Sequence, residues 1–293
     1  MALAFDAFMQ HAWADHAEQP AEVASRLRTQ TPPPETPDHL SALVRLVVHL
    51  CGEHLGAFDD GRWRLGALAP HPLADAGVQS ALRVGMASLT LAQTGHADRA
   101  GFTVEEQVRT EAAAAAICVG RQQTECAMSL LRAARDRLAA LPNAPAAVHR
   151  PLAVACNNMA WELHDRGSAR SARDTAAMLD IAAASKFHWA QAGTWLEAKR
   201  ADYALALCHL SAGLPETALP CAAQCLAACT QNDAPAYEHF FAHEALARVH
   251  GARGDHASQA RDTAAAQATF EKLNASDQAA CRSALTALLA SAQ

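Results

Sequence analysis

Histidine and cysteine are the side chains in this 293-residue sequence best suited to chemistry, with fifteen of the first and nine of the second. His239 and His243 stand four apart in the run HFFAHE, with Glu244 directly after. Residues at i and i+4 share a helix face, so two such imidazoles can share a metal ion. The order is not HExxH, so the general base of a zinc protease is not implied. A metal-dependent enzyme built on His239 and His243 is the minor reading, and no metal or other cofactor is assigned. His49, Cys51 and His54, in HLCGEH, offer another set of donors. Positions three and five apart diverge in direction on an α-helix, and no fourth ligand is evident. Cys221, Cys225 and Cys229, in CAAQCLAAC, form one helical stripe. No basic neighbour is present to activate a thiol, so these read as small buried residues at a helix–helix contact.

The sequence contains no phosphate-cradling Gly-x-x-x-x-Gly-Lys, no G-x-S-x-G elbow and no dinucleotide fingerprint. Asp59 and Asp60 precede Gly61 and Arg62-Trp63-Arg64, which reads as a turn followed by an anchoring tryptophan, or else as a ligand loop. The expectation is a protein that is not an enzyme. The formal charge is −6 with no basic stripe, which argues against nucleic acid and against an anionic membrane surface. The first residues lack the basic region of a secretory signal, and the uncharged run Ala112–Val119 is too short to cross a bilayer. The cysteines then read as reduced thiols, and the expected location is cytoplasmic.

The elements that must carry these residues are helices. Hydrophobic residues make up 51% of the chain, aromatics only 5%, and alanine is abundant. Alanine is the best helix former and lets helices approach closely. Residues 1–30 form a helical arm, with Phe5, Phe8, Trp13 and Val23 as packing residues, free to dock, swap between subunits or stay mobile. Residues 31–37, Thr-Pro-Pro-Pro-Glu-Thr-Pro, form a stiff linker. A helix follows over 37–55, capped by Asp38, with Leu40, Leu43, Val44, Val47 and Leu50 on one stripe. Gly56–Pro72 is expected to be a connecting loop. From Leu73 helices succeed one another over 73–94, 103–119, 121–141, 146–166, 169–185, 188–212, 215–230, 235–252, 255–273 and 277–291. They are separated at Gly95, Gly101, Gly120, Pro142/Pro145, Gly167, Pro215, Pro235 and Gly254.

Met159-Ala160, Leu163, Gly167 and Ala172 are echoed by Leu205-Ala206, Gly213 and Ala218, and by Leu246-Ala247 and Gly254. In the last copy Ala260 lies six residues past the glycine rather than five. This pattern resembles the tetratricopeptide (TPR) family, whose first helix carries Leu-Ala, whose turn carries Gly and whose second helix carries Ala. The glycine spacings exceed the ~34 residues of the standard repeat. Together with Asn157-Asn158-Met159-Ala160 they look like the longer kinesin-light-chain type. The resemblance implies antiparallel helix pairs stacked as a right-handed α-solenoid over 38–293, clearest over 146–273, with 277–291 as a capping helix. It further implies a concave groove lined by the first helix of each pair. Asn157, Asn158, Trp161 and His164 would contribute to it from one repeat, Arg200 and Tyr203 from the next, and Glu244 and Arg248 from the third. The partner so implied is a protein or peptide segment, its backbone fixed by the asparagine amides. The alternative places Trp161 and Tyr203 in the core and the asparagines against a neighbouring helix. A second function, self-assembly into a homodimer through the alanine-rich faces and the arm, also stands.

Overall fold

The computed structural model describes residues 4–141 and 144–291, and among these the regular structure is entirely helical, with no strand. Fourteen α-helices follow in order. They are α1 (Phe5–Asp15), α2 (Pro20–Thr29), α3 (Pro37–His49), α4 (Phe58–Leu68), α5 (Ala76–Thr94), α6 (Val104–Gly120) and α7 (Thr124–Ala139). The rest are α8 (Ala146–Asp165), α9 (Ala172–Ala192), α10 (Trp195–Ser211), α11 (Pro215–Gln231), α12 (Ala236–Ala252), α13 (His256–Phe270) and α14 (Ala275–Ser291). No helix among the described residues is long and apolar enough to cross a membrane. The break expected at Pro142 lies outside the described residues. By compactness the chain divides into two units, 1–155 and 156–293, with the boundary inside α8.

In the first unit α1 and α2 dock on the body, with α1 against α3. Phe5, Phe8 and Val23 are buried, whereas Trp13 stays 37% exposed. The α3 stripe of Leu40, Leu43, Val44, Val47 and Leu50 forms the heart of the core. Thr36, rather than Asp38, caps this helix: its hydroxyl accepts from the His39 N–H at 3.2 Å, and Pro37 takes the first helical position, where it has no N–H to waste. At its C-terminus α3 runs straight into a π-helical turn, Leu50–Leu55, closed by Gly56 at φ +63°. Helices α5, α6 and α7 then pack on one another in sequence.

The segment read as a loop between Gly56 and Pro72 is mostly a helix, α4, packed on α5. Its glycines misled the reading because Gly61 serves close packing rather than flexibility. A Cβ there would stand 2.9 Å from Cys51 Cβ and 2.9 Å from Leu89 Cδ1. Trp63 is no anchor either, being 69% exposed, and Asp59 and Asp60 pair with Arg62 and Arg64 along the helix instead of lining a ligand loop.

In the second unit α9 packs on α10, α10 on α11, α11 on α12 and α12 on α13, while α10 also meets α12 and α12 meets α14. The three-residue turns after α10 and α12 reverse the chain, so these neighbours run antiparallel. Gly213 and Gly254 adopt φ of +74° and +73°, and after each the next N–H reaches back five residues, from Leu214 to the His209 carbonyl and from Asp255 to the His250 carbonyl, both at 2.9 Å. This is the left-handed helix stop that glycine permits. Ala160, Ala206, Ala218 and Ala247 are buried, as small residues at close crossings should be, but Ala172 and Ala260 are exposed. In the last copy the buried position is Gln259, whose side chain lies over Gly251, where a Cβ would be only 2.7 Å from its amide nitrogen.

Candidate functional site

Three helices of the second unit bring the proposed groove residues together. On α8 Met159, Ala160 and Leu163 are buried, which turns Asn157, Trp161 and His164 outward as half-buried residues and leaves Asn158 exposed. The Asn157 amide donates to the Asn158 side-chain oxygen at 3.2 Å. Arg170 ties the ends of α8 and α10, donating to the Leu163, His164 and Ser211 carbonyls at 3.2, 3.1 and 2.9 Å. These are carbonyls that a helix end leaves without partners.

A run of aromatic contacts crosses the helices. The Trp161 ring lies 6.2 Å from Tyr203 on α10, and Tyr203 lies 5.5 Å, edge to face, from Phe241 on α12. The His164 ring is 5.2 Å from Trp161. Beside this run stands a chain of charges that sequence reading only half anticipated. Glu238 is buried and receives Lys199 Nζ at 3.0 Å on one oxygen and Arg200 Nη2 at 2.5 Å on the other. Burial draws Glu238 upward, but the Arg200 hydrogen bond and the charges of Lys199 and Arg200 outweigh it, so its carboxyl titrates below the ordinary range. Lys199 is itself buried, while Arg200 keeps 56% of its side chain exposed. Glu244, fully buried, accepts from the Tyr203 hydroxyl at 3.0 Å and pairs with Arg248 at 2.6 Å. Here burial wins over the Arg248 charge and the Tyr203 hydrogen bond, and the Glu244 carboxyl is raised. The Tyr203 phenol is raised as well, by burial and then by Glu244. Glu244 is therefore a buried support rather than a residue of the open face. Arg200, Arg248, Trp161, His164 and the two asparagines keep surface. Lys199 and Glu238 were missed because they lie 39 positions apart in sequence and meet only when α10 packs on α12.

His243 is not joined to His239 by a third donor among the described residues. Its Nδ1 lies 3.1 Å from Asp262 Oδ1 on α13. The stripe of Cys221, Cys225 and Cys229 is buried, and Cys225 Sγ donates to the Lys199 carbonyl at 3.2 Å.

In the first unit three imidazoles converge. His16 caps α1, His49 ends α3 and His54 lies in the π-helical turn, with ring centroids 4.8 to 5.1 Å apart. A turn hydrogen-bonded from i to i+5 stacks residues five apart, so the π-helical segment cancels the divergence expected of His49 and His54 on an α-helix. Burial, then His49 and His16, push His54 down to about 4, so it is neutral at pH 7. Cys51, the other donor of the HLCGEH run, is buried and raised to about 11 by that burial and by Asp60. His16 went unnoticed because 33 residues separate it from His49.

Compared with known proteins, the chain matches no family model, no curated protein and no solved structure.

Proposed function

We propose that the chain is a non-catalytic, TPR-like helical repeat protein that binds a peptide or protein segment of acidic character across α8, α10 and α12. One observation carries this reading: the run Trp161–Tyr203–Phe241 is flanked by Arg200 and Arg248, each held by a buried glutamate and each still open to solvent. The succession of α10 on α12 and α12 on α14, with a glycine stop between the two helices of each pair, supports stacking of repeats as a solenoid whose first helices share a face. A guanidinium fixed on one edge has already lost most of its rotational freedom, and its remaining N–H groups can fork onto a peptide carboxylate. Aromatic side chains add rigid contact area, and the Asn157 and Asn158 amides can both donate to and accept from a peptide backbone.

Selection of a displayed random-peptide library on the purified protein tests this reading. Acidic peptides should be enriched, and the enrichment should vanish on the folded Arg200→Gln/Arg248→Gln variant. Enrichment that is absent, or identical on both proteins, would defeat the proposal.

A further inference from the structure

We propose that His16, His49 and His54 form a binding site for one divalent transition-metal ion of the Zn²⁺ class, with a fourth coordination position left for water or an external ligand. One donor nitrogen from each residue lies within 4.8 Å of the other two, and His49 Nε2 and His54 Nε2 are 3.1 Å apart. Tetrahedral Zn–N bonds of about 2.0–2.1 Å set neighbouring nitrogens about 3.3 Å apart, so this pair already has the spacing of two ligands on one ion. The two edges to His16, each within 4.8 Å, shorten as the ion is bound.

The surroundings set the protons. His49 Nδ1 faces Glu53 Oε1 at 2.7 Å, and His16 Nδ1 faces the Trp13 carbonyl at 2.5 Å. A carboxylate and a carbonyl oxygen only accept, so both Nδ1 atoms carry the hydrogen. The Nε2 of His16 and of His49 then presents its lone pair, which is the outer-sphere arrangement that orients metal-bound histidine. His54 Nε2 donates to His49 Nε2 in the metal-free chain and moves that hydrogen to Nδ1 when the ion binds. Imidazole donors suit Zn²⁺, Cu²⁺ and Ni²⁺ and not Mg²⁺ or Ca²⁺. The backbone is specialised at the same place. The π-helical turn is what aligns His49 with His54, and Gly52 within it lets Ile117 pack where a Cβ would be 2.7 Å away. Two ligands from α3 and its turn and one from α1 mean that the ion would also fasten the N-terminal helix to the body.

The test uses the full chain, purified without a histidine tag and stripped with a chelator. Co²⁺ is added while visible absorption is followed, and Zn²⁺ is added while melting is followed. One equivalent of Co²⁺ should give a tetrahedral-type visible spectrum, and Zn²⁺ should displace it and raise the melting temperature. His16→Gln/His54→Gln should abolish both responses, and His239→Gln/His243→Gln should leave both unchanged. If the first variant fails to fold, Glu53→Gln supplies the reading, since loss of the partner of His49 should weaken Co²⁺ about 10–100-fold with the fold intact. No binding by the wild type, an unchanged spectrum in the folded His16→Gln/His54→Gln variant, or unchanged affinity in Glu53→Gln where that reading is needed would overturn the site. Peptide selection on the second unit is a separate readout, so either result stands without the other.

Discussion

Replacing Glu238 by alanine should be among the costliest single changes in the second unit, and much costlier than removing its partner. Lys199 keeps only 1% of its side chain exposed, and Glu238 is the carboxylate that meets its ammonium, at 3.0 Å. Breaking a buried pair so that one charge is stranded costs about 3–5 kcal/mol. Lys199→Met is gentler, because Glu238 keeps Arg200 on its other oxygen and methionine fills much of the lysine volume. The loss is then about 1.5–3 kcal/mol, the size of one hydrogen bond to a charged group. Lys199→Met/Glu238→Leu should recover most of the Glu238→Ala loss, since well-packed apolar replacements of a buried pair are often neutral. Urea unfolding followed by far-ultraviolet circular dichroism measures all three, with the midpoint and slope read for each transition. A Glu238→Ala cost under about 1 kcal/mol, or a double variant worse than either single one, would refute the buried ion pair as the support of Arg200.

Two alanine substitutions in α4 should have opposite signs. Gly61→Ala forces a methyl against Cys51 and Leu89 and should destabilise by about 1–3 kcal/mol, whereas Gly66→Ala, with no atom within 4 Å, should stabilise by about 0.5–1 kcal/mol in the same unfolding assay. Glu106 is held at about 2 by the Ser80 hydroxyl, the Thr103 N–H and Arg83. Its folded value is depressed, so its stabilisation is complete above the ordinary 4.5 and fades as the pH falls from there toward 2. The stability gap between the wild type and Glu106→Gln should therefore narrow over that window in acid titrations of the melting temperature. A thiol reagent at pH 8 should find at most one fast site in the native chain, half-buried Cys126, and all nine cysteines after denaturation. Burial keeps Cys51, Cys118, Cys208 and Cys225 protonated, and the thiolate is the reactive form.

How much of this was legible in the sequence depended on the range of the interaction. Helix identity is local, and the positions of α5 to α14 follow from alanine content, apolar periodicity and the stops at Gly95, Gly213 and Gly254. The exception is α9, which runs through the break expected between 185 and 188 and ends only at Ala192, before Gly193 and the Thr194 cap of α10. A packing glycine looks the same in sequence as a flexible one, so the residues of α4 read as a loop. The exposed Ala260 beside the buried Gln259 shows the same limit, since a slot of one volume can be filled by a small residue or by a larger one facing a glycine. The site residues on α8 could be placed on one face by their spacing. The buried Glu238 that holds Arg200 depends on how α10 and α12 pack, which no local spacing encodes. Glu244 and Arg248, by contrast, are an i, i+4 pair within α12, and only the burial of Glu244 depends on packing. The histidine cluster depends on a π-helical turn, for which the run HLCGEH carries no familiar signature.

The most direct measurement is the affinity of a library-selected acidic peptide, labelled and followed by fluorescence anisotropy, for the wild type, Trp161→Ala and Arg248→Gln. Each substitution should weaken binding about tenfold or more, because anchors of this kind are worth about 1.4 kcal/mol or more apiece. Unchanged affinity in both folded variants would contradict the assignment of the binding face to α8, α10 and α12.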